Sequence, residues 1–348
     1  MTGLDADRAY CRVALQRVSR TFALNTRLLR GTMGEAVRVG YLLCRTADAL
    51  EDSWADTPDA MRARFGRLLA ALAGDAAARD GLAAEARARA SAGADLALVA
   101  ELPRVLRVAA ALPAAHRAAL ERGVTTLARG MCRYATRAAE RGTAVAYVDD
   151  EAELDDYCWI VAGCVGVMLT ELFAAEYGAG AGGLQAQRLV LAPAVGQALQ
   201  LTNILLDWPN DVRRGRCYVP ATWLREAGLA PADLVRAGTP AVRDVARRLE
   251  TKARGALARV PDYVDLIPVR RVRYRLFCVW PALWALGSLR HARRDPEFPW
   301  GPRRPKLPRA EIWRSAIGST LAVRSSAAMR RLYTIVGGGS WMPNPSSR

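Results

Sequence analysis

Four polar residues of the stretch GEAVRVGYLLCRTADALEDSW fall on one face of a predicted helix: Tyr41, Arg45, Asp48 and Asp52. They stand at offsets of 0, 4, 7 and 11 residues in a segment whose other positions are mainly apolar. Asp48 and Asp52 are one helical turn apart, so their carboxylates can bind the same cation cluster. This stretch alone favours a plainer interpretation, a solvated helix face with Asp52 near the helix end.

A second apolar helix, predicted in VGQALQLTNILLDWPNDVRRGRCYVP, carries another polar line: Gln200, Asn203, Asp207 and Asp211. Their offsets are 0, 3, 7 and 11, and such side chains are costly to desolvate unless they are paired or bind cations. Two such helices in one bundle can face each other across a cavity. Because Mg²⁺ binds through a few carboxylates together with substrate phosphates, the two lines predict a Mg²⁺ site, with Mn²⁺ as the alternative.

The charge balance points to an anionic partner. The 348 residues include 50 Lys+Arg and 34 Asp+Glu, which gives a net charge of +16. Nucleic acid, a membrane surface and a phosphorylated small molecule all fit this charge. The arginines are dispersed and no nucleic-acid-reading motif is present, so no nucleic-acid partner is expected. Arg213, Arg214 and Arg216 follow the second polar line directly and would meet phosphate charge there.

Two further segments could line a reaction pocket. In DDYCWIVAGCVGVMLTELF, Gly163 and Gly166 remove side chains where another helix or a long apolar substrate can approach, and simple helix packing explains them equally well. Tyr157 of the same segment is a candidate for the interior. The segment VSRTFAL predicts a loop or helix start that supplies a hydroxyl, a cation and an aromatic ring from Ser19, Arg20 and Phe22.

The elements that position these residues are all helical. No sustained alternation of apolar and polar residues occurs, and the helical period recurs between Gly and Pro breaks. The weakest segment, Ala71–Gly93, fits a loose helix pair or a mobile loop. We predict one all-α domain over residues 1–336, a flexible joint at Gly178–Leu184 and a disordered tail over 337–348. Helices are predicted at Asp5–Gln16, Gly34–Trp54, Pro58–Ala73, Pro103–Leu112, Ala114–Glu140, Glu151–Glu176, Gln185–Asp211, Pro231–Ala237, Ala241–Arg259, Val269–Arg293 and Arg309–Leu332.

Cysteine usage and the apolar runs indicate the compartment. The 7 cysteines are odd in number and form no CxxC pair, so buried free thiols are expected rather than disulfides or a metal site. The N-terminus lacks the apolar run of a signal peptide. The longest apolar runs, Trp159–Leu169 and Leu276–Leu289, fall short of the roughly 20 residues that span a bilayer. A cytoplasmic protein is predicted, with peripheral contact to the cytoplasmic membrane as an option.

The segments VSRTFAL, YLLCRTADALED, DYCWIVAGCVG and LQLTNILLDWPNDVRRGRCYVP resemble, in this order, the squalene/phytoene synthase family of head-to-head prenyl diphosphate synthases. The resemblance covers nearly the whole chain and implies a single-domain isoprenoid-synthase helical bundle with a central substrate cavity. It implies that Mg²⁺ at both aspartate motifs assists departure of diphosphate. The allylic cation then joins a second prenyl chain through a cyclopropylcarbinyl diphosphate.

The resemblance also implies roles for single residues. Asp48, Asp52, Asp207 and Asp211 would be Mg²⁺ ligands. Arg45 would contact diphosphate, and Asn203 would assist the metal–diphosphate site. The pocket would be lined by Ser19, Phe22, Tyr41 and Tyr157, and Arg20, Gln200, Arg213, Arg214 and Arg216 are candidates for substrate binding. The chain departs from the family at two positions: Leu206 stands where the family usually has Arg, and Asn210 stands where it usually has Glu. These departures put the reaction rate, or the reaction step itself, in question.

The C-terminal third is more similar to squalene synthases than to phytoene synthases. The matching residues are Phe277, Cys278, Pro281, Lys306 and Arg309. This similarity implies NADPH as a reductant, with Lys306 and Arg309 as candidates for contact with its phosphate. A plain basic loop is the alternative interpretation of these two residues.

The leading hypothesis is an enzyme that joins two farnesyl diphosphates into presqualene diphosphate and then makes squalene with NADPH. Its alternatives within the family are a phytoene or dehydrosqualene synthase without NADPH and an enzyme that stops at presqualene diphosphate. Two alternatives lie outside that class. The departures at Leu206 and Asn210 fit an inactive partner subunit, and the charge of +16 fits a basic protein that binds membrane surfaces.

Overall fold

The computed structural model describes residues 3–54, 56–142, 145–180 and 183–338, and this part of the chain contains helices and no β-strand. The all-α prediction is confirmed. The helices are α1 (Gly3–Val18), α2 (Arg20–Thr26), α3 (Gly31–Asp52), α4 (Pro58–Leu72), α5 (Ala76–Arg87), α6 (Ala94–Ala100), α7 (Leu102–Ala110), α8 (Ala114–Arg141), α9 (Glu151–Cys158), α10 (Cys164–Tyr177), α11 (Leu184–Arg213), α12 (Ala221–Glu226), α13 (Pro240–Leu257), α14 (Val260–Asp265), α15 (Val272–Arg294), α16 (Arg309–Ala322) and α17 (Ser326–Gly337).

The helices form two compact units, one from residues 1–143 and 155–196 and the other from residues 144–154 and 197–348. In the first unit α8 packs against α3, α4 and α10. The first part of α11 lies close to α10 and to the π-helical turn Trp159–Gly163 that leads into it. An added Cβ at Gly166 would lie 2.2 Å from the Ala192 carbonyl oxygen. At Gly196 it would lie 2.0 Å from the Ala162 carbonyl oxygen. The missing side chain at Gly166 therefore makes room for another helix, α11.

The second unit is built around α15, which packs against α13, α14, α16 and α17. Arg275 of α15 is fully buried and donates to the carbonyl oxygens of Val264 at 3.1 Å and Ile267 at 2.7 Å. Tyr333 of α17 donates to the Leu257 carbonyl oxygen at 2.7 Å. The first two hydrogen bonds fasten the end of α14 to α15, and the third fastens α17 to the end of α13, because a buried donor left unpaired would cost stability.

Several predicted helices differ in extent from the observed ones, and capping side chains explain two of the differences. The helix predicted over Arg309–Leu332 is two helices, because Ser325 has an extended backbone and its side chain accepts from the Ala328 N–H to begin α17. In the Ala71–Gly93 segment, Asp75 caps α5 by accepting from the Ala78 N–H. The predicted helix Pro231–Ala237 is a short 3₁₀ segment at Pro231–Val235.

The ends and joints of the chain are partly outside the described residues. The proposed joint Gly178–Leu184 includes residues 181 and 182, which lie outside them. Of the tail predicted over 337–348, Gly337 ends α17 and Gly338 caps it in a left-handed conformation at φ 101°. The remaining residues of that tail, 339–348, also lie outside the described part.

Two helical segments, Glu151–Tyr177 and Leu184–Arg213, are long and apolar enough to cross a bilayer by length and composition. In the most apolar 18-residue stretch of each segment, 44% of the first and 39% of the second is buried inside the protein. The first segment contains the run Trp159–Leu169, so the apolar stretch is longer than the sequence pattern indicated. Such helices carry little weight for a membrane span, because core helices outside membranes meet the same criterion.

The cysteine prediction is confirmed. All seven cysteines are free thiols, and five of them are buried. Cys132 and Cys278 are partly exposed. Burial raises the pKa of Cys11 to about 11, which keeps that thiol protonated at neutral pH.

Candidate functional site

The first aspartate line lies on α3, where Arg45 is held between two carboxylates. Its Nε and Nη2 donate to the two carboxylate oxygens of Asp95 at 2.9 and 2.8 Å. Its Nη1 lies 3.5 Å from Asp48 Oδ2. The planar guanidinium is thus fixed by a bidentate pair. Asp95 belongs to the short helix α6, and the Ser53 hydroxyl also donates to it at 3.3 Å.

Asp48 is the most perturbed carboxyl group of this line. Its side chain keeps 35% exposure, yet the carboxyl sits deep among its neighbours. Burial raises its pKa to about 7, an effect that Arg45 opposes and Asp52 reinforces. A carboxylate that is poorly compensated in this way gains from a bound cation, which would hold it ionised. Asp52 ends α3 one turn away and is exposed.

An aromatic pair stands on the same helix face as Arg45. Ser19 caps α2, and its Oγ accepts from the Phe22 N–H at 3.2 Å. Phe22 stacks on Tyr41 with ring centroids 4.2 Å apart. The Tyr41 hydroxyl is hydrogen-bonded to Ser19, and burial raises its pKa. The structure therefore brings Ser19, Phe22 and Tyr41 together, whereas Arg20 is an exposed residue of α2.

Tyr157 is buried in the first unit and meets the edge of the Tyr134 ring, with centroids 5.3 Å apart. The Tyr134 hydroxyl donates to Asp156 at 2.8 Å. Arg133 and Arg137 place their guanidinium groups over the Tyr134 ring at 4.8 and 4.9 Å. Tyr157 is thus part of an aromatic and cationic cluster that the sequence analysis did not identify.

The second aspartate line lies at the C-terminal end of α11, in the second unit. Arg304 Nε is 3.1 Å from Asp207 Oδ1, and its Nη2 donates to Asn203 Oδ1 at 3.5 Å. Burial raises the pKa of Asp207, while Arg304 and Arg214 lower it. An open pocket of about 700 Å³ adjoins this line. It is lined by Asp207, Asn210, Asp211, Arg214, Arg303, Arg304 and Lys306.

The other basic candidates are divided between this pocket and the surrounding scaffold. Arg214 and Lys306 line the pocket. Arg213 donates to the carbonyl oxygens of Pro209, Trp300 and Gly301 at 2.8, 2.7 and 3.2 Å, so it fastens the 300–308 segment to α11. The pocket lining does not include Gln200 and Arg216, which are half-buried, or Arg309, which is the exposed first residue of α16.

Each aspartate line offers two carboxylates, and this donor set fits Mg²⁺ shared with a phosphate. The described residues hold no group of three or more His, Cys, Asp or Glu side chains that could bind a metal ion alone. Mg²⁺ commonly takes one or two protein carboxylates and completes its shell with phosphates and water. Of the two predicted NADPH contacts, Lys306 lines the pocket beside Asp207 together with three arginines, and Arg309 does not line it.

The sequence analysis missed two ion-pair partners, Asp95 and Arg304. Asp95 follows the Ala- and Gly-rich segment that carried the weakest helical pattern, and nothing local marks it. Arg304 belongs to the basic run RRPK, of which the sequence analysis singled out only Lys306. Both partners are far from the aspartate motifs along the chain, so only packing reveals them.

Comparison with known proteins connects this arrangement to one family. A family model described as squalene/phytoene synthase matches residues 15–311. A phytoene synthase of Thermus thermophilus is 44% identical over 106 residues, which is 30% of this chain and 33% of that protein. A presqualene diphosphate synthase of Zymomonas mobilis is 40% identical over 110 residues, or 31% of this chain and 35% of that protein. The chain therefore spans about a third of the length of these curated relatives.

Solved structures show the same fold over nearly the whole chain. A complex of TcSQS with the ligand E5700 aligns with a TM-score of 0.75 at 22% identity, covering 96% of this chain and 97% of that one. A dehydrosqualene synthase in complex with a ligand aligns with a TM-score of 0.62 at 19% identity, covering 93% and 97%. The helices described above thus follow the all-α isoprenoid-synthase fold.

Proposed function

This chain belongs to the squalene/phytoene synthase family, and on that premise we propose that it is a prenyltransferase that joins two prenyl diphosphates head to head. The observation that carries the proposal is the pocket beside Asp207, which combines two aspartates with four basic side chains. Acids alone would repel a diphosphate, and basic residues alone would repel Mg²⁺. A site that contains both suits a diphosphate bridged to its metal.

The proposed roles divide between binding and ionisation. Asp207 and Asp211, like Asp48 and Asp52, hold Mg²⁺, which when bound neutralises the departing diphosphate as a Lewis acid. Arg214 and Arg304 bind diphosphate oxygens in the second unit. Arg45 does so in the first, with its plane fixed by Asp95. The half-buried aromatic pair of Phe22 and Tyr41 offers ring faces to a developing allylic cation and helps to exclude water from it.

Arg304 supplies the charge that this chain lacks at Leu206. Leu206 is buried and stands where the family usually has an arginine. Arg213 is occupied by three backbone carbonyl oxygens, which makes it the weaker candidate to replace that arginine. The contacts of Arg304 with Asp207 and Asn203 support it as the compensating cation. They weigh against an inactive partner subunit.

The proposed substrates are two farnesyl diphosphates. In the first step one diphosphate and one proton leave, and the product is presqualene diphosphate, a cyclopropylcarbinyl diphosphate. In the second step the other diphosphate leaves and a hydride from NADPH gives squalene. Lys306 and Arg309 are the proposed contacts of the NADPH phosphate. Relatives named phytoene synthase and presqualene diphosphate synthase favour two alternatives, a hydrocarbon product without NADPH or release after the first step.

We propose a cytoplasmic location with peripheral contact to the cytoplasmic membrane. The net charge of +16 favours an anionic surface, and a hydrocarbon product has to leave into lipid. A basic membrane-binding protein without turnover is the competing proposal from another class.

Product analysis tests the proposed reaction. Purified protein is incubated with Mg²⁺ and C15 or C20 prenyl diphosphates, with and without NADPH. Squalene formed from farnesyl diphosphate only when NADPH is present supports the full proposal. Presqualene diphosphate in both incubations places the end of the reaction at the first step. If neither a hydrocarbon nor a cyclopropyl diphosphate forms from any substrate, the proposed enzyme class is wrong.

A further inference from the structure

Helix α16 turns its large apolar side chains outward. Trp313, Ile317 and Leu321 stand four residues apart, so they form one line along the helix. Their exposed fractions are 58%, 60% and 82%. This line, called here the α16 stripe, is a contiguous apolar surface rather than a set of scattered single residues, and such surfaces mark interaction sites.

The opposite face of α16 explains why the stripe points outward. Ser315, Ala316 and Ser319 are buried against α15. The indole N–H of Trp284 donates to the Ser315 hydroxyl at 3.2 Å, and that of Trp280 donates to the Ser319 hydroxyl at 3.0 Å. Because these hydrogen bonds fix the rotation of α16 about its axis, the stripe cannot turn inward without leaving buried donors unpaired.

Exposed arginines lie close to the stripe along the chain. Arg309 and Arg314 lie on α16, Arg324 follows it, and Arg331 lies on α17 beside the exposed Ile335. The only acidic residue between positions 309 and 337 is Glu311. It accepts hydrogen bonds from Arg290 and His291 of α15, and its Oε1 lies 3.5 Å from Nη2 of the exposed Arg314. The surface around the stripe therefore combines apolar side chains with a rim of positive charge.

We propose that the α16 stripe and its arginine rim dock this protein on an anionic lipid bilayer. A tryptophan with aliphatic neighbours inserts into the interface between head groups and acyl chains, and arginines beside it pair with anionic head groups. The assignment deepens, and rests on, the membrane contact proposed above. It does not depend on which reaction the protein catalyses.

The charges favour a bilayer over a second copy of this chain. In a symmetric dimer the same surface meets itself, so the arginine rims of the two copies would face each other. Like charges brought together in this way oppose association. The net charge of +16 adds a general repulsion between copies. An anionic bilayer satisfies both parts of the surface at once.

The test is co-sedimentation with vesicles of phosphatidylcholine alone or mixed with phosphatidylglycerol. The full chain is compared with the triple variant W313S/I317S/L321S and with a matched pair, Leu321→Ser and Val190→Ser. Leu321 and Val190 are similarly exposed, at 82% and 77%. We expect the parent protein to bind tightly only to the mixed vesicles. The triple variant should partition into them about tenfold more weakly or worse, and Leu321→Ser should lose less. Val190→Ser binds like the parent protein.

A second arm tests the rim. The variant R314Q/R324Q loses two charges beside the stripe, and R12Q/R17Q loses two exposed charges on α1. Each arginine close to an anionic surface contributes about fivefold to partitioning, so R314Q/R324Q should bind roughly 25-fold more weakly. The matched variant R12Q/R17Q should change little.

The outcomes separate this inference from the proposed reaction. If the parent protein ignores anionic vesicles, or the triple variant binds them equally well, the docking surface is wrong. Self-association in lipid-free buffer that the triple variant abolishes would assign the stripe to a second copy and would also overturn it. Turnover is measured separately in detergent. Its absence in the parent protein contradicts the proposed reaction and leaves the vesicle result standing.

Discussion

Arg45 donates through Nε and Nη2 to Asp95, and its Nη1 faces Asp48. These contacts fix the plane of a guanidinium group that we propose binds diphosphate. A guanidinium group that is already hydrogen-bonded at two nitrogens has lost most of its rotational freedom, so the side chain would lose less conformational entropy when it binds a ligand. Asp95 is in this sense a positioning residue for Arg45. The corresponding cation of the second aspartate line, Arg304, contacts Asp207 directly.

The aspartates give the first prediction. Asp48→Ala and Asp207→Ala should each lower turnover at least about a hundredfold, because each removes a carboxylate from a proposed metal site. Helicity measured by circular dichroism should stay unchanged. Asp59→Ala is the matched control, since that side chain is 94% exposed and lies outside both lines. Full activity in either test variant would contradict the metal assignment.

Arg304 gives the second prediction. Arg304→Gln should weaken binding of inorganic diphosphate with Mg²⁺ by about tenfold or more, measured by calorimetry, because a charge-assisted hydrogen bond contributes about 1.5–3 kcal/mol. Arg304→Lys keeps the charge and should recover part of the affinity. Arg303→Gln is the control, since Arg303 lines the same pocket whereas Arg304 is the arginine that pairs with Asp207. Equal losses in Arg303→Gln and Arg304→Gln would show that only net charge matters.

At the scale of elements, close helix contacts set the geometry of the first unit. The first part of α11 packs so closely against α10 and the turn Trp159–Gly163 that Gly166 and Gly196 face carbonyl oxygens directly. Backbone atoms cannot rotate away as a side chain does, so a larger residue there must push the helices apart. The residues that admit this contact carry no chemistry, yet they position the helix that continues to Asp207.

This packing gives the third prediction. Gly166→Ala should lower the free energy of unfolding by about 1–3 kcal/mol, because its Cβ would overlap the Ala192 carbonyl oxygen. Gly66→Ala in α4 is the control, since nothing lies within 4 Å of an added Cβ there. It should stabilise α4 by about 0.5–1 kcal/mol, because alanine restricts the unfolded chain. Thermal unfolding distinguishes the two, and a Gly166→Ala protein as stable as the parent would refute the close contact.

At the scale of the whole molecule, the excess of basic residues keeps many carboxylates paired. Hydrogen bonds from basic side chains lower the pKa of Asp7, Asp56, Asp80 and Glu151. Asp7 is buried in α1 and accepts from Arg107 and Arg104 of α7 at 2.7 and 2.8 Å. Arginine therefore binds elements together as well as giving the surface its charge.

Asp7 gives the fourth prediction. Its pKa is lower in the folded than in the unfolded protein, so its stabilising contribution is complete above the unfolded value of about 3.9. It is lost as the pH falls through the folded pKa. Asp7→Asn should therefore cost about 1–3 kcal/mol at neutral pH and progressively less below about pH 4. Thermal unfolding across pH measures this, and a difference that stays constant down to pH 2 would contradict the pairing.

The sequence by itself determined the helical class, the two aspartate lines and the family, because each depends on residues close together along the chain. A helical period and a motif are both local patterns. Boundaries set by single caps, such as Ser325 at the start of α17, were less predictable, since a serine also fits a helix interior facing water.

Only the tertiary structure decided which residues hold the functional side chains. Asp95 is 50 residues from Arg45, and Arg304 is 101 residues from Asn203. No local pattern links residues so far apart, because packing alone brings them together. The same holds for α16, whose sequence contains apolar residues on more than one face. The hydrogen bonds from Trp280 and Trp284 decide that its small residues lie inside and its large ones face outward.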